Sequence, residues 1–433
     1  MSWLSVDDWV QRVHAVNANG DSPATTRRKR PLVSPPMSST PRKKKRPDPT
    51  LQTNEGEGDN DALQETPRPA KRTKPVSDTS LSDAPSLHSN RSGTGDGSSR
   101  TGRSSPTKKM ARLRVNATMQ HRMMDSGAED FPTSLQKFLD PIIEATTLCE
   151  GLLFESQRQE IQDYVSADPT RRRNFEACYK RETLFITTCP DPNTYARRLD
   201  PEFVGFILDE ARECDEHLHP EASWNMMVHY PLMRRAIVGP TRRRDTDRSN
   251  GPTVTVVPCA TASLVSDFRV QDAPAHKVDF AIALEPGGPG GSVDQIEALR
   301  ESMPGWSVNH TDYTPLINRP IAVSVETKRT NDDFEKARVQ LMVWLAAHWM
   351  KVESMTGCPP EVLPAIIIQG HNWYLVTSTR ASDGKKFLWC KHNFGSTSTP
   401  LGIYKIAWTL RYLAKWAVDM HWSWFKECLK EKI

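Results

Sequence analysis

Two apolar stretches decide the fold that this sequence can adopt: VDFAIAL at residues 278–284 and IAVSVETK at residues 321–328. Both have the length and the β-branched content of buried strands. Each also carries charged residues that buried strands rarely hold without a partner, a metal or a reaction: Asp279 in the first, Glu326 and Lys328 in the second. The two stretches therefore predict neighbouring strands that share one charged site.

The alternation of side chains along these strands sharpens that prediction, because successive residues point to opposite faces. Asp279 shares a face with two alanines, while Glu326 and Lys328 share one with Ala322 and Ser324. The opposite faces carry the larger residues Val278, Phe280, Ile282, Leu284, Ile321, Val323 and Val325. We expect the bulky faces to form a core, and the small residues to leave room for a metal ion, water and a phosphate.

The 433-residue chain divides sharply by composition, since no Phe, Trp or Tyr occurs between Trp9 and Phe131. That stretch is rich in Pro, Ser, Thr, Gly, Arg and Lys, and it cannot bury enough apolar surface to offset the entropy of ordering. We predict a short amphipathic helix at residues 1–16, a disordered basic linker at 17–115, and one folded domain at 116–433. The helix can dock on that domain or on a partner, and its pattern favours neither.

Charge follows the same division. Residues 1–115 hold 21 Lys and Arg against 12 Asp and Glu, whereas residues 116–433 hold 36 against 41. A basic tail thus precedes a slightly acidic globular part. If this protein holds nucleic acid tightly, the tail or a local groove must supply the attraction.

Two dense basic clusters lie in the linker: RRKR, from Arg27 to Arg30, and RKKKR, from Arg42 to Arg46. Such short exposed runs are typical of nuclear localisation signals. We therefore expect a nuclear protein that binds an import receptor through these clusters. The alternative is a solvated basic tail that touches phosphates without specificity.

Cysteine usage and hydropathy indicate the cellular compartment in which we expect the protein. The eight cysteines are scattered without a CxxC pair, which suits reduced thiols in an intracellular protein. No apolar run approaches the length of a membrane span, and the N-terminus lacks the apolar segment of a signal peptide. These features predict a soluble protein without a membrane partner.

The order of predicted elements indicates the fold class. Helical patterns precede a compact group of strands, a Gly/Pro-interrupted insertion at 286–320 separates the two charged strands, and a helix capped by Asn331 or Asp332 follows the second. Further strands and a long C-terminal helix complete the chain. This order predicts an α/β or α+β fold with one central mixed sheet flanked by helices.

The charged residues suit phosphodiester cleavage, which needs an activated water and neutralised charge on the phosphate. Carboxylates bind Mg²⁺ through oxygen, so Asp279 and Glu326 are the candidate metal ligands, with the Thr327 carbonyl as a third. Lys328 projects from the same face as Glu326 and is placed to bind the phosphate or to position the attacking water.

An Asp, a long gap and then Glu-x-Lys at the end of an apolar strand followed by a helix resembles the PD-(D/E)XK nuclease superfamily. More narrowly, the chain resembles fungal PD-(D/E)XK nuclease-like proteins, in its basic N-terminal region, in WNMMVH at 224–229, and in the phrases around Asp279 and Glu326. The resemblance implies a restriction-endonuclease-like mixed sheet. It also implies cleavage of nucleic acid with Mg²⁺ or Mn²⁺, and DNA is the expected substrate rather than RNA.

The same resemblance assigns two further residues. The acidic residue of the family's first helix corresponds to Glu221, with Glu210 and Glu213 as substitutes. A Gln in the helix after the lysine strand corresponds to Gln340, which lies one helical turn before Trp344. The alternative for Glu221 is a structural role, in which a carboxylate at the start of a helix stabilises the helix dipole.

Some features depart from the family pattern. Lys277-Val278 stands where the family has Pro before the Asp, and Asp279 and Glu326 are 47 residues apart.

A second triplet, Asp383-Gly384-Lys385, also matches the (D/E)-x-K pattern, but by chance, because Asp-Gly marks a hairpin turn. Glu326 and Lys328 also allow a purely structural ion pair or exposed charges on an edge strand. A nuclease fold that binds nucleic acid or regulates a partner without cutting is the alternative function.

Overall fold

The computed structural model describes residues 108, 111, 119–128, 130–187, 197–240, 251–271, 273, 277–287 and 292–432. The predicted helix at 1–16 lies outside the described residues, as does the predicted linker at 17–115 apart from Lys108 and Ala111. Within the described ranges, no helix combines the length and apolar character needed to cross a membrane.

One mixed sheet organises the described part of the chain. Its strands are β1 (Met119–Met123), β4 (Thr253–Pro258), β5 (Phe280–Glu285), β6 (Ile321–Lys328), β7 (Val362–Gln369), β8 (Asn372–Arg380) and β9 (Lys386–Ser396). Their spatial order is β1-β9-β8-β7-β6-β5-β4. The pairs β1–β9 and β6–β7 are parallel, and the other neighbours are antiparallel. The predicted charged strands, β5 and β6, are therefore neighbours inside the sheet, and neither is an edge strand.

Helices cover both faces of this sheet. They are α1 (Thr133–Ile143), α2 (Glu155–Ala167), α3 (Arg172–Phe175), α4 (Pro201–Glu216), α5 (Glu221–Trp224), α6 (Tyr230–Ile237), α7 (Ser292–Glu301), α8 (Phe334–Met355), α9 (Pro400–Trp416) and α10 (Trp422–Lys432). Short π-helical turns extend α1, join α5 to α6, and join α9 to α10. A separate two-stranded parallel sheet pairs β2 (Leu153–Phe154) with β3 (Phe185–Ile186). The architecture matches the predicted restriction-endonuclease-like mixed sheet flanked by helices.

The sheet separates two apolar cores. Phe280 and Ile282 of β5 pack with α4, α6 and α9 on one face. On the other face, α8 and the segment at 259–270 pack against Ala281 and Ala283. The predicted alternation along β5 is therefore confirmed, because successive residues of this strand enter different cores.

The expected use of the small residues is wrong. Ala281 and Ala283 are fully buried and lie in the core under α8, so they leave no room for a metal ion or a phosphate. Ser324 of β6 is also buried, and its Oγ accepts a hydrogen bond from Trp344 Nε1 of α8 at 3.0 Å. Small side chains here let the helix approach the sheet closely. The charged site lies instead where β5 begins and β6 ends.

Two of the bulky residues also leave their predicted face. The pairing of β5 with β6 shifts register so that Ile282 faces Val323 but Ala283 faces Ile321, which leaves Ala322 as the extra residue of a bulge. A bulge reverses the alternation beyond it, and Ile321 accordingly packs in the core under α8. Val278 lies outside β5 and packs in the same core.

Three local features differ from the sequence prediction. The edge strand β1 was not predicted, because most of its residues are at least partly exposed and the strand carries little apolar pattern. The insertion at 286–320 contains the helix α7. Helix α8 is capped by Asp333 and not by Asn331 or Asp332, since the Asp333 side chain accepts from Glu335 N–H at 2.9 Å.

Candidate active site

Asp279 is held against the end of β6 by both its backbone and its side chain. Its N–H donates to the Val325 carbonyl at 3.0 Å, and its carbonyl accepts from Cys259 N–H at 2.7 Å. Its Oδ2 accepts from the N–H and the Oγ1 of Thr327, each at 2.9 Å. This double acceptance orients the carboxylate and leaves Oδ1 without a hydrogen bond from the described residues.

Lys328 joins the remaining charged residues at the end of β6. Its Nζ donates to Glu326 Oε1 at 2.6 Å, to the Thr327 carbonyl at 2.7 Å and to Glu221 Oε2 at 3.3 Å. The side chain of Glu326 is 1% exposed, that of Lys328 12% and that of Glu221 34%. The ammonium group of Lys328 therefore lies between a buried carboxylate, that of Glu326, and a solvent-accessible one, that of Glu221.

Helix α5 and the π-helical turn after it place Glu221, the first residue of that helix. Trp224 is 1% exposed and stacks on His229 at 5.6 Å between ring centroids. His229 Nε2 in turn donates to the Gly370 carbonyl, in the turn after β7, at 3.1 Å. These contacts explain why WNMMVH is a packing motif beside the site. Glu221 lies at a helix N-terminus and also reaches Lys328, so its two interpretations are compatible.

Burial and like charge perturb the carboxylates. Burial, followed by the nearby Asp279 carboxylate, raises the pKa of Glu326 well above its ordinary value. Burial also raises the pKa of Glu221, although Lys328 opposes that shift. Burial works to lower the pKa of Lys328, but Glu326, Glu221 and Asp279 raise it overall. Three carboxylates thus share one ammonium group, which leaves the cluster short of positive charge.

These residues fit a hard divalent cation by their donor chemistry. Asp279, Glu326 and the Thr327 carbonyl offer oxygen atoms, which Mg²⁺ and Mn²⁺ prefer, and Mg²⁺ usually binds one or two carboxylates and keeps several waters. Among the described residues, no group of three or more His, Cys, Asp or Glu side chains converges as a metal site. A cation here would therefore rest on two carboxylates, a carbonyl and water. The Thr327 carbonyl accepts from Lys328 in this structure.

Gln340 lies apart from the hydrogen-bonded cluster. It is half-buried on α8, one turn before Trp344. Trp344 is anchored on Ser324, two residues before Glu326, so this helix face is close to β6. In the described part of the chain, no hydrogen bond joins Gln340 to Asp279, Glu326 or Lys328.

This geometry excludes exposed charges on an edge strand and is consistent with a structural ion pair. Glu326 and Lys328 do form an ion pair, but β6 lies between β5 and β7 and is not an edge strand. The second D-x-K triplet lies in the turn between β8 and β9, where Gly384 has a φ of 84°. Sequence reasoning missed the Thr327 hydroxyl as a partner of Asp279, because strand alternation places this side chain on the face opposite Glu326 and Lys328.

Comparison with known proteins agrees with the geometry. A family model described as the PD-(D/E)XK nuclease superfamily matches residues 161–422, a range that includes Glu221, Asp279, Glu326, Lys328 and Gln340. No curated protein and no solved structure matches the chain significantly. The matched range covers more than half of the chain and contains the charged cluster at the junction of β5 and β6, so the chain belongs to the PD-(D/E)XK nuclease superfamily.

Proposed function

We propose that this protein is a nuclease that hydrolyses phosphodiester bonds of DNA with Mg²⁺ or Mn²⁺. Membership of the superfamily supports a nuclease that uses a divalent metal ion and binds nucleic acid. The single observation that carries the proposal is the position of Lys328, whose Nζ lies 2.6 Å from the buried Glu326 and 3.3 Å from Glu221. An ammonium group held among carboxylates at a strand end can meet a phosphate and its attacking water together.

Each residue has a distinct role in this proposal. Asp279, Glu326 and the Thr327 carbonyl hold the cation, which supplies charge neutralisation at the phosphate and acidifies a water molecule. Lys328 donates a hydrogen bond to a phosphate oxygen or to that water, and Glu221 holds the Lys328 ammonium in place. Gln340 extends the site from α8 toward the substrate.

Cleavage of labelled single- and double-stranded DNA and RNA by the purified full-length chain tests the proposal. We expect cutting of DNA with Mg²⁺ or Mn²⁺ and none with chelator. Lys328→Ala should lower the rate roughly 10²- to 10³-fold, because a positioned donor at a developing charge contributes about that much.

Lys385→Ala is the matched control. It removes the lysine of the second D-x-K triplet, which pairs with Asp383 at 2.7 Å on the surface. This variant should cut at the wild-type rate. Equal activity of Lys328→Ala and the wild type, with both shown to be folded in Mg²⁺, would contradict the assignment of Lys328.

The nuclear location remains part of the proposal. The basic clusters from Arg27 to Arg30 and from Arg42 to Arg46 are the segments that an import receptor would bind. A fluorescent fusion of the full chain should accumulate in nuclei, and replacement of both clusters by alanine should abolish that accumulation. Unchanged nuclear accumulation would contradict this role of the clusters.

A second candidate function is a nuclease fold that binds nucleic acid without cutting it. The acidic balance of residues 116–433, with 36 Lys and Arg against 41 Asp and Glu, favours binding driven by the basic tail. Under this alternative, wild type shows no metal-dependent turnover, and deletion of residues 18–115 greatly weakens DNA binding. Turnover that is lost in Lys328→Ala would eliminate it.

A further inference from the structure

A pocket of about 180 Å³ opens directly beside the charged cluster. Leu218 and Trp224 line one side of it, and they lie three residues before and three residues after Glu221. Residues 329–331, which follow Lys328 without interruption, line the other side. Both walls are therefore continuations of the two segments that carry the proposed catalytic residues.

Leu218 has an unusual conformation for its residue type. It follows the end of α4 with a φ of 51°, in the left-handed region that favours glycine or asparagine. The turn is closed by a hydrogen bond from His219 N–H to the Cys214 carbonyl at 2.9 Å. Leu218 is nevertheless 74% exposed. The fold thus strains a leucine without burying it, and backbone strain of this kind clusters at active and ligand-binding sites.

The lining of the pocket also contains polar residues, among them Asp215 and Thr330. Thr330 Oγ1 donates to Asp215 Oδ1 at 2.7 Å. Gly370, with a φ of 52°, packs so closely on Thr330 that a Cβ at this glycine would collide with the Thr330 side chain. Asn331 is exposed. The side chain of Arg329 is 56% exposed next to Lys328 and pairs with Asp332 Oδ1 at 3.1 Å, an exposed partner that a phosphate can replace. This wall offers hydrogen-bonding groups and a cation beside the proposed position of the scissile phosphate.

We propose that this pocket binds an unpaired nucleobase of the substrate strand, adjacent to the phosphodiester bond that is cut. A nucleobase has an apolar face, which suits Leu218, and a polar edge, which suits Thr330 and Asn331. In a duplex both faces of each base are covered by stacking, so the pocket selects single-stranded or frayed nucleic acid. Arg329 contacts the neighbouring phosphate. This pocket rests on the proposed nuclease function, and it adds single-stranded nucleic acid as the substrate class.

The test uses a single-stranded oligonucleotide with one 2-aminopurine, bound to the full-length protein in Ca²⁺. Unstacking or restacking of that base changes its fluorescence. We expect wild-type protein to alter the fluorescence at one position of the strand and to prefer single strands over a matched duplex. Leu218→Asn should weaken binding about tenfold and abolish the fluorescence change, since burial of a leucine side chain against the base contributes about 1.5–3 kcal/mol.

Two features keep this test specific. Asparagine adopts a positive φ more readily than leucine, so Leu218→Asn should fold at least as well as the wild type. Met226→Asn is the matched control, because Met226 is 77% exposed in the π-helical turn after α5 but does not line the pocket. The control should bind and report like wild type.

The outcomes separate this inference from the proposed function. Wild-type protein that perturbs the base but never cuts supports the pocket and overturns the nuclease proposal. If wild-type protein cuts, and Leu218→Asn binds and cuts like wild type, the pocket proposal is overturned and the nuclease proposal stands. Cutting with a preference for duplex has the same consequence. Wild-type protein that neither binds nor cuts overturns both.

Discussion

Removal of Lys328 should destabilise the fold most strongly at neutral pH without divalent metal. The Glu326 side chain is 1% exposed, and Lys328 Nζ is its hydrogen-bond partner at 2.6 Å. Loss of one partner from a buried ion pair costs about 3–5 kcal/mol, because the remaining charge is left without compensation. For Lys328→Ala this corresponds to a fall in Tm on the order of 10 °C. The near-complete burial of Glu326 is the reason to expect so large an effect.

The pH dependence of this loss follows from the raised pKa of Glu326. A carboxyl whose pKa is higher in the folded state binds its proton longer than the unfolded chain does, so stability falls as the pH rises from the ordinary glutamate pKa through the folded value. Lys328→Ala raises the folded pKa further and deepens that fall. The difference in unfolding free energy between wild type and variant should therefore be small at pH 5 and larger at pH 7.5.

Urea unfolding of both proteins at pH 5 and pH 7.5, in chelator and in Mg²⁺, measures these differences. A divalent cation beside Glu326 and Asp279 should restore part of the stability that the variant loses at pH 7.5. Lys385→Ala, which breaks the exposed pair with Asp383, should change stability little at either pH. A loss for Lys328→Ala that is equal at both pH values, or no larger than that of the control, would refute the reasoning from a buried uncompensated charge.

Three further predictions test neighbouring parts of the structure. Thr327→Val removes the hydroxyl donor to Asp279 Oδ2, at 2.9 Å, and should weaken metal activation roughly tenfold in a metal titration of cleavage, because a hydrogen bond to a charged group contributes about 1.5–3 kcal/mol. Gln340→Ala should leave the unfolding free energy unchanged while cleavage falls by roughly 10²-fold, as expected for a donor that contacts substrate. Burial lowers the pKa of Lys351 from 10.5 to about 8, so the unfolded chain holds more protons between these values and wild-type stability should rise with pH across them. Lys351→Met should lack that rise, worth about 3 kcal/mol, in urea unfolding from pH 7.5 to 10.5.

The sequence alone determined the two central strands and the presence of their charged residues. Strand side chains alternate by a local rule of backbone geometry, so the placement of Glu326 and Lys328 on one face of a strand followed from the order of residues. Asp279 was predicted within its strand but lies directly before β5, which begins at Phe280. The hairpin at Asp383-Gly384 followed equally locally, because that dipeptide suits the turn.

Tertiary structure decided how those residues meet. The approach of Glu221 to Lys328 spans 107 positions along the chain, and it depends on the packing of Trp224 and His229 against the turn after β7. The bulge that leaves Ala322 unpaired, and the burial of the small strand face under α8, likewise arise from pairing and packing between distant segments. Such contacts depend on which surfaces fit together, and no local periodicity encodes that fit. The residue types of the charged cluster were therefore evident in the sequence, whereas their meeting at the strand ends and the pocket beside them were set by packing.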